Sequence, residues 1–405
     1  MRLRPSAPVP ALVASLIVSV ALLVSACGGG SDRTANADAP AGAAESGASG
    51  GAGSDGTTTT TSRGPEGSGR PVTIAFAGDA SFEGLTDQVR SNPTSVLAGI
   101  APALSQADLT IVNLEAALGT AGSPQAKTFT FHVPAEVTQA LSSSGVDVVT
   151  MANNHGLDYG QTGLQESLRI EQATGFPVIG IGQNADEAYA PFVKEINGQR
   201  VGIIAASDVI DDNLRSTWIA TDSQPGLASA EEAQQARLAD AVRSARTSVD
   251  TLIVYLHYGV EKETCPNARQ KELVELMVDS GADIVVGSHT HRIQGVGFRG
   301  QQLVSYGLGN FVFKPGSAAG NNSGILTATA TGRRIDGFQW RPAVISGGVP
   351  SLLTGSAEAS AQSSMDELRS CAGLTDTPTG GSPTAGTSNG GASTGGPSTT
   401  SGSHG

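Results

Sequence analysis

The chain has 405 residues and a formal net charge of −13, and its Lys and Arg residues form no cluster. A nucleic-acid binder carries a basic patch, so that class is set aside; the acidity is spread along the chain and reads as a solvated surface. Residues 28–69 and 375–405 are too poor in apolar residues to build a core, so any globular body lies between them.

At the N-terminus, Arg2 and Arg4 precede an uncharged apolar stretch from Ala11 to Ala26. It is shorter than the ~20 residues a membrane-spanning helix needs and has the form of an export signal, residues 1–26. It ends in Val24-Ser25-Ala26-Cys27, which resembles a bacterial lipobox. Cleavage before Cys27 and lipidation of its thiol are expected; the alternative is an ordinary signal peptide that leaves a cysteine behind. Residues 27–70, rich in Gly, Ala, Ser and Thr, read as a flexible tether. The expectation is an exported protein, anchored by lipid at the extracytoplasmic face of the cell membrane.

From residue 71 strand-like and helix-like segments alternate. Strands are expected at Val72–Ala77, Leu109–Leu114, Val146–Met151, Val201–Ala206, Leu252–Leu256, Ile284–Val286 and Leu303–Tyr306. Helices are expected at Pro134–Ser144, Gln161–Thr174, Ser229–Val249 and Asn267–Ser280, several of them stopped by glycine. Near-continuous apolar strands flanked by helices predict an α/β fold whose sheets are covered on their faces. Ile325–Ala330 and Gly337–Val344 read as an antiparallel pair. The body is expected to span residues 71–347, with an extension at 348–373 and a disordered Gly/Ser/Thr/Pro tail at 374–405 that includes His404.

Hard and borderline metal ligands stand at the ends of five of these strands. Asp79 closes the first and Glu115 the second, Asn153-Asn154-His155 follows the third, His257 ends another, and His289 and His291 follow Ile284–Val286. In an open α/β sheet, ligands gather at the carboxyl ends of strands. Carboxylate, amide oxygen and imidazole suit one or two divalent cations such as Mn, Fe or Zn. Taken singly, His257 would read as a satisfied core histidine, and Asp79 or Glu115 as a helix cap. With Cys27 lipidated, Cys265 and Cys371 remain, too isolated for a CxxC motif, and a disulfide between them is expected in an oxidising compartment.

Gly78-Asp79, Asn113-Leu114-Glu115, Ala152 to Gly160, His257-Tyr258-Gly259 with Glu261, Gly287 to His291 and Tyr306 to Phe311 together resemble the CapA family of poly-γ-glutamate capsule biosynthesis proteins. That family is similar in fold to calcineurin-like metallophosphatases. The resemblance implies a four-layer α/β/β/α metallophosphatase-like sandwich with disordered terminal segments. It implies Asp79, Glu115, Asn154, His257, His289 and His291 as metal ligands, with Glu115 bridging, and His155 as the catalytic residue facing substrate. It departs from the phosphatase pattern at Ser81, where that pattern has histidine. His132 stands where relatives have arginine and reads either as a substrate-facing group or as a half-buried residue. Lys127 is the better candidate for an anion contact, with surface lysine as its default. The function implied is a metal-dependent hydrolase or transferase acting on poly-γ-glutamate or another anionic envelope polymer. The alternative is a non-catalytic subunit that holds the polymer or a membrane synthase.

Overall fold

The computed structural model describes residues 67–380; the expected signal peptide, Cys27, most of the tether and His404 lie outside the described residues. Two sheets stack face to face. The larger runs, edge to edge, through Val349–Leu352, Arg334–Ser346, Asn322–Thr331, Val72–Ala80, Leu109–Leu114, Val148–Thr150 and Val178–Ile179, with Asn310–Val312 joined to the end of Val72–Ala80. The pairs from Val72–Ala80 through Val178–Ile179 are parallel, and those on the other side of Val72–Ala80 are antiparallel. The smaller sheet runs Val296–Arg299, Gln302–Ser305, Ile284–Ser288, Thr251–His257, Gln199–Ser207 and Phe192–Ile196, parallel at its centre.

Alternation along the strands explains the layering, because successive side chains point to opposite faces. Ile74, Phe76, Ile111 and Val148 meet Ile203, Ile253, Tyr255 and Val286 in the core between the sheets. Their neighbours Ala75, Ala77, Val112 and Val149 face outward with Val137, Leu141 and Leu164 of the helices Val137–Ser143 and Gly160–Thr174. On the other side, Ile204, Val254, Leu256 and Val285 face outward into a core with Leu238 and Val242 of the helix Gln235–Arg246. Leu273 and Met277 of the helix Ala268–Asp279 join that core. Each helix presents apolar residues four apart, as a helix lying on a sheet must. The result is an α/β/β/α sandwich. No helix among the described residues is long and apolar enough to cross a membrane.

Some bounds differ from the sequence reading. The helix expected from Ser229 starts at Gln235, because Ser229 forms a bridge with Ser207 and the Ala230 amide donates to Ser207 O. Residues 349–375, set apart in sequence as the extension and the start of the tail, pack on the body. Val349–Leu352 is a sheet strand, and the helix Gly355–Ala372 lies against the long strand Arg334–Ser346 and the edge strand Val296–Arg299. Met365 is buried between the sheets, and Arg369 Nε donates to Val296 O at 2.7 Å. Thr375 then pairs with Phe298 along that edge. An open sheet edge needs such a cover.

Two glycines let the loops close on the strand ends. A Cβ on Gly78 would stand 1.9 Å from Gly309 O, and one on Gly287 would stand 2.2 Å from Tyr306 O. The Asp79 amide donates to Gly309 O at 2.9 Å, and the strand register shifts around Asp79. Such an irregularity re-aims a side chain. Gly78→Ala is therefore expected to cost about 1–3 kcal/mol by overpacking, read by urea unfolding. Unchanged stability would show that the approach of Gly309 is not tight.

Candidate metal centre

The register brings the polar strand ends to one place. Asp79 lies opposite both Asn113 and Asn310, Asn113 opposite Thr150, and His257 opposite Ser288. Asp79 and Glu115 are fully buried, and His257 and His289 nearly so. Two groups of candidate ligands result, Glu115 with His257 and His289, and Asp79 with Glu115 and His291, each with its donor atoms within 4.8 Å of one another. Glu115 belongs to both.

Three of the donor atoms are left without a partner, while Asp79, His257 and His291 have polar neighbours. Among the described residues, neither Glu115 oxygen has a hydrogen-bond partner, although His257 Nε2 is 3.4 Å and His291 Nε2 4.0 Å from Oε1. His289 Nδ1 is likewise buried and unpartnered. A buried carboxylate with both oxygens bare is costly unless something positive meets it. The residues therefore fit a divalent cation. Asn154 Oδ1 is 2.8 Å from His257 Nε2, at the rim of the first group.

Electrostatics point the same way. Burial, and then Asp79 beside it, hold the Glu115 carboxyl well above the usual carboxylate range. Burial, and then the neighbouring His289 and His291, push His257 well below the usual imidazole range. Burial and then His291 take His289 down to about 3. Burial would lower His291 as well, but Glu115 and Asp79 outweigh it and raise His291 to about 10. His291 is thus where the metal-free centre keeps a proton to balance its carboxylates.

Several residues that hold the ligands lie in the motifs quoted from the sequence but carry no role there. Asn113 Nδ2 donates to Asp79 Oδ1 at 2.8 Å and lies 3.2 Å from His257 Nδ1. Asn153 Nδ2 donates to Asn113 Oδ1 and to Leu114 O, while Asn153 Oδ1 accepts from the His155 amide. Asn310 Oδ1 is 2.8 Å from His291 Nδ1, and Ser288 Oγ is 2.9 Å from His257 Nδ1. A buried asparagine inside an apolar strand needs partners, and that was the available signal.

His155 stands beside this cluster. Its Nδ1 is 2.6 Å from Asp158 Oδ2, and burial lowers its pKa while Asp158 opposes the shift. Lys127 Nζ donates to Asp158 Oδ1 at 2.7 Å and to Asn154 O, and lies 5.0 Å above the Trp218 ring. Far from being a surface lysine, its side chain is 6% exposed. Phe131 packs on His155 and Phe313 on His291, with the two phenyl rings 6.0 Å apart. His132 is half-buried with its ring edge-on to Tyr159, and no contact joins it to the cluster among the described residues. Ser81, where the phosphatase pattern has histidine, is buried and accepts the Glu83 amide at 3.4 Å. Cys265 and Cys371 are joined as a disulfide with Cα atoms 5.8 Å apart.

Residues 73–315 match the family model for bacterial capsule synthesis protein PGA_cap. The chain belongs to that family. It is 31% identical over 192 residues to the capsule biosynthesis protein CapA of Bacillus anthracis, covering 47% of this chain and 46% of that one. It is 30% identical over 203 residues to the PGA biosynthesis protein CapA of Bacillus subtilis, covering 49% and 52%. A probable polyglutamine synthesis accessory protein of Mycobacterium tuberculosis is 23% identical over 211 residues, covering 51% and 55%. The chain spans about half the length of the curated relatives it matches. Among solved structures, a hypothetical protein from Thermus thermophilus aligns over 67% of this chain and 98% of its own at a TM-score of 0.42 and 15% identity. The sulfate thiohydrolase SoxB of Thermus thermophilus aligns over 69% and 45% at 0.37 and 14%. Both scores are too low to bear on function.

Metal ligands bind in their deprotonated form, so uptake of a cation expels any proton they hold. With His291 raised to about 10, manganese titrated into the metal-free protein at pH 8 is expected to release a proton. Calorimetry in buffers of different ionisation enthalpy reads it. Heats independent of the buffer would show that His291 is not displaced.

Proposed function

We propose that this chain is an exported, lipid-anchored, metal-dependent hydrolase or transferase of envelope-polymer metabolism, with poly-γ-glutamate as the polymer. The observation that carries the reading is Glu115, buried with both oxygens unpartnered between two groups of candidate ligands. The family and the names of the CapA relatives, as capsule and PGA biosynthesis proteins, suggest the polymer. Export and anchoring rest on Arg2, Arg4, the apolar run and Cys27.

Glu115, His257 and His289, with Asn154 beside them, would hold one cation, and Asp79, Glu115 and His291 a second. When bound, such ions polarise a substrate oxygen and make water a usable nucleophile near neutral pH. The protein groups do the rest. Asp158, itself fixed by Lys127, accepts from His155 Nδ1, which leaves Nε2 as the atom that passes a proton to or from substrate. Phe131 and Phe313 shield His155 and His291 on one side and strengthen electrostatic interactions by excluding water. Lys127 lends positive charge where an anionic substrate would lie.

Ser81 favours a second reading. Its hydroxyl serves a local turn, so the group around Asp79 has one donor fewer than the phosphatase pattern, as a non-catalytic polymer-binding or synthase-associated subunit could have. Metal content of the full-length protein, wild type beside His289→Ala/His291→Ala, separates these readings together with turnover of a phosphodiester probe and of poly-γ-glutamate. The proposed enzyme loses its metal in the double variant. In His155→Ala it keeps the metal and loses turnover about 10²- to 10⁴-fold. Metal without turnover supports the subunit; no metal in the folded, reloaded wild type overturns the metal reading.

A further inference from the structure

The histidines at the mouth of the centre sit on strained backbone. Of the five non-glycine residues with positive φ among the described residues, His289 (90°) and His291 (50°) are two. A third, Lys262 (71°), belongs to the segment packed against them, residues 258–266 between His257 and the helix Ala268–Asp279. Left-handed backbone in a residue with a Cβ persists only where the surroundings over-determine it.

Part of that over-determination comes from the 258–266 segment. The Lys262 amide donates to Thr290 O at 2.8 Å, between the two histidines. Glu263 O accepts from Gln294 Nε2 at 3.1 Å, and Gln294 Oε1 accepts from Gln270 Nε2 at 2.8 Å. Gly259 approaches so closely that a Cβ would stand 2.9 Å from Thr290 Cγ2. Thr290 is fully buried beneath this cover. Tyr258 and Pro266 anchor the ends of the segment, yet the covering residues between them have no apolar anchor of their own, since Val260 to Cys265 are all exposed. Besides the hydrogen bonds of Lys262 and Glu263, what ties them down is the covalent bond from Cys265 to Cys371, on the helix Gly355–Ala372. That helix is itself fixed by Met365 between the sheets and by Arg369 on the edge strand.

We infer that the Cys265–Cys371 disulfide is a positioning brace for the metal centre: through residues 258–266 it holds Thr290, and with it sets His289 and His291. The inference rests on the metal reading of that site. Opening the bond takes two electrons and two protons. A phosphine reductant supplies the electrons as it takes up the oxygen of water, and water's two hydrogens end on the two thiols. The 258–266 segment then loses its tether and the His289–Arg292 turn relaxes.

The test uses full-length, metal-free protein in three forms: oxidised, phosphine-reduced with both thiols counted, and Cys265→Ser/Cys371→Ser. Manganese affinity is read by competition with a chelating dye, and hydrogen exchange at the His289 amide, which donates to Asp79 Oδ2 at 3.2 Å, is read in parallel. Both opened forms are expected to bind manganese about 10- to 100-fold more weakly, the range for lost support of metal ligands. Exchange at His289 is expected to speed up, while amides of the strand Thr251–His257 keep their protection. If the bond merely adds global stability, opening it would lower the unfolding midpoint and leave affinity unchanged, and that result overturns the inference. If the double variant does not fold, reduction of the folded wild type decides. If the oxidised protein binds no metal, the metal reading falls, and unchanged His289 exchange on reduction would separately overturn the brace.

Discussion

The structure is organised around a pair of carboxyl groups that it buries and only partly satisfies. Asp79 and Glu115 end adjacent parallel strands, so their carboxyl groups are side by side and buried. Two buried like charges are costly, and burial with Asp79 alongside holds the Glu115 carboxyl well above the usual carboxylate range. In the metal-free protein His291 supplies the compensation, and Asn113 donates to Asp79, but Glu115 keeps both oxygens bare. Hydrogen-bonded burial of Glu115 was chemically available in a site with several amide and hydroxyl side chains nearby. Those groups instead bind one another or the histidines, which leaves the carboxylate free for a cation.

Everything around this pair serves to fix it. Parallel strands deliver their carboxyl ends to the same edge, and stacking the two sheets back to back puts His257 and His289 from one against Asp79 and Glu115 from the other. Tyr255, in the core between the sheets, donates to Ala77 O at 2.9 Å and ties the strand bearing His257 to the strand bearing Asp79. Gly78 and Gly287 remove the side chains that would keep the Tyr306–Asn310 segment away, and Asn310 then reaches His291. Precision at the site is therefore a property of rigid strand ends; loops contribute mainly where, as at Thr290, they are tied down.

The strands, and the positions of Asp79, Glu115, His257, His289 and His291 that the fold brings together, were legible because strands buried on both faces read as unbroken apolar runs, and a carboxylate or imidazole at the end of such a run stands out. The supporting amides were not. Asn113 interrupts an apolar run without ending it, and nothing in a single sequence says that its amide bridges Asp79 and His257. The helix Gly355–Ala372 was missed for another reason: it is built largely from Ala, Ser and Glu and buries only Met365 and Ala372, too few apolar positions for a visible period. Lys127 read by default as a surface residue because its burial depends on Asp158 and Trp218, which are distant or unremarkable in sequence.

The two halves of the centre are not equivalent, and Ser81 is the reason. One group offers two imidazoles, both driven below their ordinary range and so already neutral, a carboxylate, and the Asn154 amide oxygen close by. The other offers two carboxylates and an imidazole that holds its proton, with a local turn where the phosphatase pattern would place one more histidine. A cation entering the first group would meet imidazoles that are already neutral, whereas one entering the second would have to displace the proton of His291. An ion held in the first group would weaken the hold of Glu115 on that proton, because the carboxylate is common to both groups of candidate ligands. The shared carboxylate would in that way couple the two groups, the one beside Ser81 being the harder to fill.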